Sequence, residues 1–581
     1  MSMKIRKYLL SSGKKEWKAV LFILIICFIS GTAFFIYLDD MKPITFMGFY
    51  ALDTIKSKEL SDDVNDPDLT DSEKLADFDY FCDVYEKSVP LVDYYKELFD
   101  IDTAEMRSEW RDIISETKSD FEYWGTLNTM IMNIPSSHSY MFPPIYTDYK
   151  DHFADYNNMC RIMLSDDLEA ATNYWDKIIS EKGKLFYENY EILYFSEQNG
   201  QYFLNGTLNC DTDIAEIISI DNMPVNQYVL TELTYEKPSF DPITGEISKK
   251  TLYFHKTRDE TAHKHTLVLK TKSGEIKTED MYNNYCADAA IAFYFDKVQN
   301  SSADALREKL SSEMPFYHCY DEANDVLYTS FRCFDGENSS EIRSIYENTG
   351  CRNVIIDLRN CTGGYTNTVT ELIYPALYTD DTLFECKFYT AKSRYTMKYN
   401  ERFSVLDMLR GTFEHADISD TDLPDNKKYF YDDYRYIVKG NALRSKNIYI
   451  LTSRETMSAA DFMVQLVKGK ERTVVIGSNT GGEGTIGAVY TECMPNSNLV
   501  FTYTPSVSFS ENSKVNSIYG TAPDIYAERS ENAASKAHDL LASGTDPYTY
   551  GSRRLWDDIL KKALELIKED ENDKRNNSAD E

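Results

Sequence analysis

The second half of the chain alternates short apolar strands with amphipathic helices. The pattern is clearest from Asn447 to Gly484, where the apolar run Ile448–Leu451 is followed by apolar residues at helical spacing over 462–467 and by a second strand at 473–477. Further strands are predicted over 325–331, 353–358 and 499–504. Strands separated by helices predict an α/β core.

The first half of the chain shows two other patterns. From about Phe78 to Pro135, tyrosine-rich apolar positions recur at helical spacing and predict a small domain of amphipathic helices. Residues 195–285 instead show short strands separated by turns, which predicts a β-rich module. His263 and His265 fall on one face of a strand here, and without a third ligand nearby we interpret them as exposed strand positions.

The N-terminal segment predicts a membrane anchor. Ala19–Leu38 is a run of twenty residues without a charge, long enough to cross a bilayer as a helix. Six lysines and arginines precede it, whereas Asp39 and Asp40 follow directly, so residues 1–18 are predicted to face the cytoplasm and residues 41–581 to lie outside. A cleaved signal peptide is the alternative interpretation.

These patterns divide the 581 residues into seven segments, since the chain is too long for one core. They are a cytoplasmic basic segment (1–18), a transmembrane helix (19–38), a stalk (39–75), a helical domain (76–194), a β module (195–287), an α/β core (288–545) and a C-terminal helix with a charged tail (546–581). The apolar content of 42% is that of a folded protein.

Charge and cysteine content narrow the possible partners. With 62 basic and 95 acidic residues the formal net charge is −33, so nucleic acid and anionic lipid should be repelled and neither is predicted as a main partner. Of eleven cysteines, Cys27 falls in the apolar run and ten lie beyond it without a CxxC pair, so no metal site is predicted. The even number beyond the run allows disulfides in an oxidising compartment.

Ser458 is the candidate nucleophile. It falls at the first turn of a helix that leaves a strand, where unpaired backbone N–H groups and the helix dipole would stabilise an oxyanion. The alternative is that Ser458 and Asp461 are only a capping box, a serine at the N-cap with an acid three residues later.

His138 and a pair of glycines are the other candidates. His138 lies in a serine-rich turn after the helical segment, and its neighbour Ser137 could fix the tautomer of the imidazole. Gly363 and Gly364 follow a buried strand and would let backbone N–H groups approach a ligand. A structural or solvated histidine and an ordinary glycine turn are the alternatives.

Four motifs in a fixed order carry a resemblance to a known family. They are Asp357–Asn360 with Gly363–Gly364, Thr456–Asp461 around Ser458, Gly477–Gly482, and Gly520–Asp524. Over roughly residues 75–530 the chain resembles the C-terminal-processing (tail-specific) serine peptidases, and more closely their tricorn-like branch, which has a histidine preceded by a serine as Ser137-His138 does. The resemblance implies a ClpP/crotonase-like catalytic core and a PDZ-like β module.

The chain departs from both branches of that family. Glu483 stands where the tail-specific branch has its lysine base, so a Ser–Lys dyad is excluded at that place. Ser517 stands where the tricorn-like branch has a glutamate, so the carboxylate that would support the base is missing or comes from elsewhere, with Glu511 the nearest candidate.

The resemblance implies a serine endopeptidase acting on peptides or proteins without a cofactor, and the predicted anchor over 19–38 makes it membrane-anchored and extracellular. Ser458 would be the nucleophile, His138 the general base and Ser137 the residue that orients the ring. The oxyanion would be held by Ala459 with Gly363 or Gly364. The alternatives are a catalytically degenerate family member that binds peptides or another ligand outside the cell, and an esterase or amidase that uses the same residues. The sequence predicts neither the substrate sequence nor the oligomeric state.

Overall fold

The computed structural model describes most of residues 68–577, with longer gaps at 142–165, 206–214, 232–238, 284–313 and 400–428 and shorter ones between. The predicted transmembrane helix, the stalk up to residue 67, Ser137 and Glu511 lie outside the described residues. In the part that is described, no helix combines the length and the apolar character needed to span a bilayer.

The chain divides into two compact units. One comprises Met1–Ile55 with Lys392–Glu414, and the other comprises Lys56–Ala391 with His415–Glu581. Of the first unit the structure describes residues 392–399, which include the helix Arg394–Tyr399. The elements below belong to the second unit.

Among the described residues, the second unit begins with five helices, and the first four lie where the helical spacing predicts them. They are α1 (Asp71–Ser88), α2 (Pro90–Phe99), α3 (Thr103–Glu116), α4 (Asp120–Met132) and α5 (Asp166–Asn189). Helix α1 begins at a capping box in which the side chains of Thr70 and Glu73 each accept a hydrogen bond from the other's backbone N–H. Ser119 is the N-cap of α4, and its side chain accepts from Glu122 N–H. Their buried faces include Phe78, Tyr123 and Leu127.

Residues 192–283 form the predicted β-rich module. Its elements are β1 (Ile192–Gln198), β2 (Gln201–Asn205), β3 (Ala215–Ile220), β4 (Met223–Pro224), α6 (Val225–Thr231), β5 (Ser239–Phe240), β6 (Ile247–Ser248), β7 (Thr251–His255), β8 (His263–Lys270) and β9 (Ile276–Asn283). The sheet has the order β2-β1-β7-β9-β8-β3-β4, and a further pairing of β2 with β3 closes six antiparallel strands into a ring. Tyr228 of α6 packs among Ile217 and Leu267 inside it. Its PDZ-like character stays a prediction.

The last part of the unit is a mixed α/β core, which confirms the α/β part of the predicted fold class. Its elements are β10 (Phe316–Asp321), β11 (Val326–Phe331), α7 (Ser339–Asn348), β12 (Asn353–Asp357), a π-helical turn (Thr368–Ile373), α8 (Tyr374–Leu377), β13 (Thr382–Ala391), β14 (Tyr429–Val438), β15 (Asn447–Thr452), α9 (Ala459–Val467), β16 (Thr473–Gly477), β17 (Tyr490–Cys493), β18 (Val500–Tyr503), β19 (Ser506–Ser508), α10 (Asn516–Tyr519), β20 (Ile525–Tyr526), α11 (Tyr550–Trp556) and α12 (Asp558–Asn577).

A six-stranded sheet of order β10-β11-β12-β15-β16-β20 forms the centre of this core. Its strands from β11 to β20 are parallel, and β10 is an antiparallel edge. Helices α7, α8 and α9 cover one face, while α11 and α12 supply Tyr550, Leu560, Ala563 and Ile567 to the other. Because both faces are covered, β12 is buried at every position, as parallel strands usually are.

Two smaller sheets complete the core. Strands β14, β13 and β19 form one, and the hairpin β17–β18 forms the other. The strand predicted over 499–504 is therefore present, but it lies in the hairpin and not in the parallel sheet.

Candidate active site

Ser458 occupies a sharp turn between β15 and α9. Its backbone has φ 53° and ψ −126°, a conformation in which a residue with a Cβ is strained. The turn is held from two sides, since Ser458 N–H donates to Gly482 O (2.9 Å) and Met457 N–H donates to Cys361 O (3.1 Å). The Ser458 side chain makes no capping hydrogen bond to α9. The capping-box interpretation of Ser458 and Asp461 is therefore wrong.

The structure brings the side chains of Ser458 and His138 together. His138 Nε2 lies 3.2 Å from Ser458 Oγ, and His138 Nδ1 lies 2.6 Å from Glu483 Oε2. A carboxylate facing Nδ1 keeps the proton on that nitrogen, which leaves Nε2 able to accept the proton of the serine. Glu483 is 2% exposed and the His138 ring 22% exposed, so the carboxylate is shielded while the ring borders solvent.

His138 is positioned by strand β18. The hydroxyl of Thr502 donates to His138 O (2.6 Å), and Thr502 N–H donates to Tyr140 O (2.9 Å). Met141 bridges to Phe501, and the hydroxyls of Ser136 and Thr504 are 3.2 Å apart. The segment that carries the histidine therefore lies along the free side of the β17–β18 hairpin.

Glu483 is positioned by the glycine-rich loop after β16. Gly481 N–H donates to Thr456 O (2.9 Å) and Gly484 N–H to Asp461 Oδ2 (3.0 Å), so the loop is attached on both sides of the glutamate. Asp461 is fully buried and also accepts from the hydroxyls of Thr480 and Thr521. Burial raises the pKa of the Asp461 carboxyl, and the four donors around its two oxygens counteract only part of that effect.

The loop that begins at Gly363 passes directly beside the serine. A Cβ at Gly363 would lie 2.6 Å from Ser458 Cβ and 3.0 Å from Ala459 N, so only glycine fits there. A Cβ at Gly364 would lie 2.5 Å from Phe334 O. Among the described residues none accepts a hydrogen bond from the backbone N–H of Ala459. Ala459 and the glycine loop thus form one wall beside Ser458 Oγ.

The carboxylate of this site was misplaced by sequence reasoning. Glu483 was interpreted only as the loss of a lysine, and the supporting acid was sought at Glu511 or considered missing, whereas the acid that contacts His138 is Glu483 itself. The signal was available, because a position that carries the base in relatives has to point at the nucleophile. Ser137 lies outside the described residues, so its orienting role stays a prediction.

His265 also differs from its interpretation as an exposed strand position. Its side chain is 12% exposed, and Nδ1 lies 2.6 Å from Asp221 Oδ2. It therefore pairs with the turn before β4 and packs against Tyr228. Within the described residues no cluster of three His, Cys, Asp or Glu side chains could hold a metal ion.

The Asp-Leu-Arg-Asn segment that precedes Gly363 has a supporting role. Arg359 is 2% exposed and contacts two carboxylates, with Nε 2.8 Å from Asp357 Oδ1 and Nη1 2.8 Å from Asp557 Oδ1. The charge of Arg359 holds the pKa of Asp357 well below its usual range and lowers that of Asp557 to about 2. The buried ion network ties the end of β12 to the loop between α11 and α12.

A hydroxyl, an imidazole and a carboxylate in sequence, on an α/β fold, are the arrangement of a serine hydrolase site. Residues 325–527 match the model of Peptidase family S41. The matched part of the α/β core is therefore similar to Peptidase family S41, the C-terminal-processing peptidases, and the protein is a serine-type peptidase. No match was found among curated proteins.

Several solved structures are similar to this chain at low identity. Mature CPAF complexed with lactacystin is 13% identical, with 86% of this chain and 99% of that chain covered and a TM-score of 0.44. The photosystem II D1 C-terminal processing protease is 11% identical, with 79% and 94% covered and a TM-score of 0.32. A putative peptidase from Parabacteroides merdae is 14% identical, with 47% and 70% covered and a TM-score of 0.30.

Proposed function

We propose that this protein is a serine endopeptidase whose catalytic triad is Ser458, His138 and Glu483. The observation that carries the proposal is the pair of contacts made by one imidazole, 3.2 Å to the serine hydroxyl and 2.6 Å to the glutamate. A buried carboxylate on Nδ1 stabilises the imidazolium that forms when Nε2 takes the serine proton. No cofactor is needed for this chemistry.

The reaction proceeds in two halves. Ser458 Oγ attacks the peptide carbonyl carbon while His138 Nε2 accepts its proton, and the oxyanion is stabilised by Ala459 N–H with an N–H of Gly363 or Gly364. His138 then gives the proton to the leaving amine, and an acyl-enzyme ester remains on Ser458. A water molecule, deprotonated by the same ring, hydrolyses the ester and releases the new C-terminal carboxylate.

Labelling with a fluorophosphonate probe tests the proposal on the soluble chain 41–581. An activated serine forms a covalent adduct with the probe, so wild type should be labelled at Ser458. Ser458→Ala should not be labelled, and His138→Ala should be labelled only at a slow residual rate. An unlabelled wild type would favour the degenerate binding protein. A labelled protein that cleaves ester or amide substrates but no member of a mixed peptide library would favour the esterase or amidase.

The protein is further proposed to be a single-pass membrane protein with its catalytic part outside the cell. The support is the uncharged run 19–38 with basic residues before it and acidic residues after it. A ClpP/crotonase-like core, a PDZ-like module and membership of the tricorn-like branch belong to the same proposal and rest on the motifs around Ser458 and His138. Protease added to intact cells should digest residues 41–581; protection until the membrane is broken would refute the orientation.

A further inference from the structure

The hairpin β17–β18 connects the helical domain with the active site. It pairs within itself as a two-stranded sheet, apart from the parallel sheet that carries Ser458. One side of β18 contacts the segment that carries His138, as described above. Strand β17 begins at Tyr490, seven residues after Glu483 in the chain. The hairpin therefore stands between two members of the triad.

The tip of this hairpin is held by a carboxylate of the helical domain. Asp77 of α1 is fully buried, and it accepts hydrogen bonds from Asn496 N–H (2.9 Å), Asn496 Nδ2 (2.8 Å) and Ser497 N–H (2.7 Å). Trp175 of α5 donates to Ser497 O (2.8 Å) at the same turn. Removal of the Asp77 carboxylate would leave three donors poorly satisfied, two on the half-buried Asn496 and one on the buried Ser497, so the position of the tip depends on Asp77.

The other end of the hairpin contacts the histidine itself. Thr502 is 1% exposed; its hydroxyl donates to His138 O and accepts from Tyr140 N–H (3.2 Å). The hydroxyl of Tyr85 on α1 donates to Thr502 O (2.6 Å), so the helical domain also contacts this end of the hairpin. The two-stranded hairpin thus links helix α1 to the backbone of His138.

We propose that Asp77 and Thr502 are positioning residues of the active site, which act through the β17–β18 hairpin to hold His138 Nε2 against Ser458. The inference rests on the proposed triad. It assigns to the helical domain a role beyond carrying the histidine, because the domain also sets the geometry of the base. Small displacements of a base are costly to catalysis, since proton transfer needs hydrogen-bond geometry.

The test compares Asp77→Asn and Thr502→Val with a matched control. Asp93→Asn is the control, because Asp93 is also a buried carboxylate of the helical domain and accepts a hydrogen bond from Tyr429 on β14. The measurements are the rate constant of fluorophosphonate labelling at Ser458 and the melting temperature. Both test variants should label at least about 10-fold more slowly, whereas Asp93→Asn should stay within about 2-fold of wild type.

A double-mutant cycle separates positioning from general damage. If Asp77 and Thr502 act through His138, neither substitution should slow the residual labelling of a His138→Ala protein any further. Equal slowing with and without His138, or wild-type labelling by folded variants, would overturn the proposal. If Asp77→Asn does not fold, Thr502→Val decides alone. A wild type that is not labelled would refute the triad itself, and the inference with it.

Discussion

The imidazole of His138 and the carboxylate of Glu483 are 345 residues apart in the chain and 2.6 Å apart in the fold. The acid stands where tail-specific relatives are expected to carry a lysine base, and the position expected to carry an acid in the tricorn-like branch is Ser517. By the resemblance, the proposed site would therefore combine the histidine of one branch with the loop position of the other. In the proposed triad the acid comes from residue 483, and residue 517 is not needed for that role.

Glu483→Gln should lower kcat/KM by about 10²–10⁴-fold, because the amide can donate to Nδ1 and select the wrong tautomer of His138. The measurement is peptide cleavage by the soluble chain 41–581. Ser517→Ala is the control and should stay within about 2-fold of wild type. A fully active Glu483→Gln variant together with an impaired Ser517→Ala variant would show that Glu483 is not the acid of the site.

Ser458→Ala and His138→Ala should each remove nearly all activity, and the double variant should lose no more than either alone, because the two residues act as one unit. Glu483→Lys should not restore activity to His138→Ala. Residue 483 is 2% exposed, and burial would lower the pKa of a lysine placed there. That lysine would still have to lose its proton and align with Ser458 in a site that is shaped for an imidazole. Activity of His138→Ala at neutral pH would show that a group other than His138 is the general base.

Gly363→Ala should abolish labelling of Ser458, because its Cβ would lie 2.6 Å from Ser458 Cβ and because φ at this position is +111°. Gly350→Ala is the matched control, since a Cβ there meets no atom within 4 Å. Melting temperatures of both variants show whether the loss is local. Normal labelling of Gly363→Ala would mean that the loop can move away from the serine.

Asp557→Asn should destabilise the protein by about 3–5 kcal/mol at pH 7, as the breaking of a buried ion pair does. Since the folded pKa of Asp557 is lowered to about 2, its contribution is complete above the unfolded value of about 4 and is lost as pH falls toward 2. The gap between variant and wild type should therefore narrow between pH 4 and about pH 2. Urea unfolding followed by fluorescence measures it.

The control for that experiment is Asp558→Asn, which changes the neighbouring and more exposed carboxylate. Its side chain is 38% exposed and accepts from Ser530, so the free energy of unfolding should change by less than about 1 kcal/mol. A gap for Asp557→Asn that is the same at pH 7 and pH 3 would contradict the assigned pKa shift.

The sequence predicted the elements whose cause is local. The strand before Ser458, the helix after it and the parallel strands β11, β12 and β16 follow from apolar periodicity, which a single segment contains. The glycine-rich turns were recognisable as well, since a close approach of backbone leaves glycine as the only residue that fits.

The parts that sequence reasoning missed depend on contacts between distant segments. The strand around residue 500 was visible, but nothing in its pattern shows that it pairs with 490–493 and receives His138 on its other side. In the sequence, Glu483 is recognisable only as a residue that replaces an expected lysine. Its contact with His138 becomes visible only in the fold, because the two residues are far apart in the chain. The buried pairing of Arg359 with Asp557 spans 198 residues and has no local signature.

That pairing has a consequence for the timing of synthesis. Arg359 leaves the ribosome long before Asp557, and until the C-terminal helices arrive it has Asp357 as its buried partner but lacks the second carboxylate. The face of the sheet that carries Tyr328, Tyr449 and Leu451 is likewise covered only after α12 has been synthesised. The strand end that leads to Gly363 therefore gains its second carboxylate only after the C-terminal helices have been synthesised.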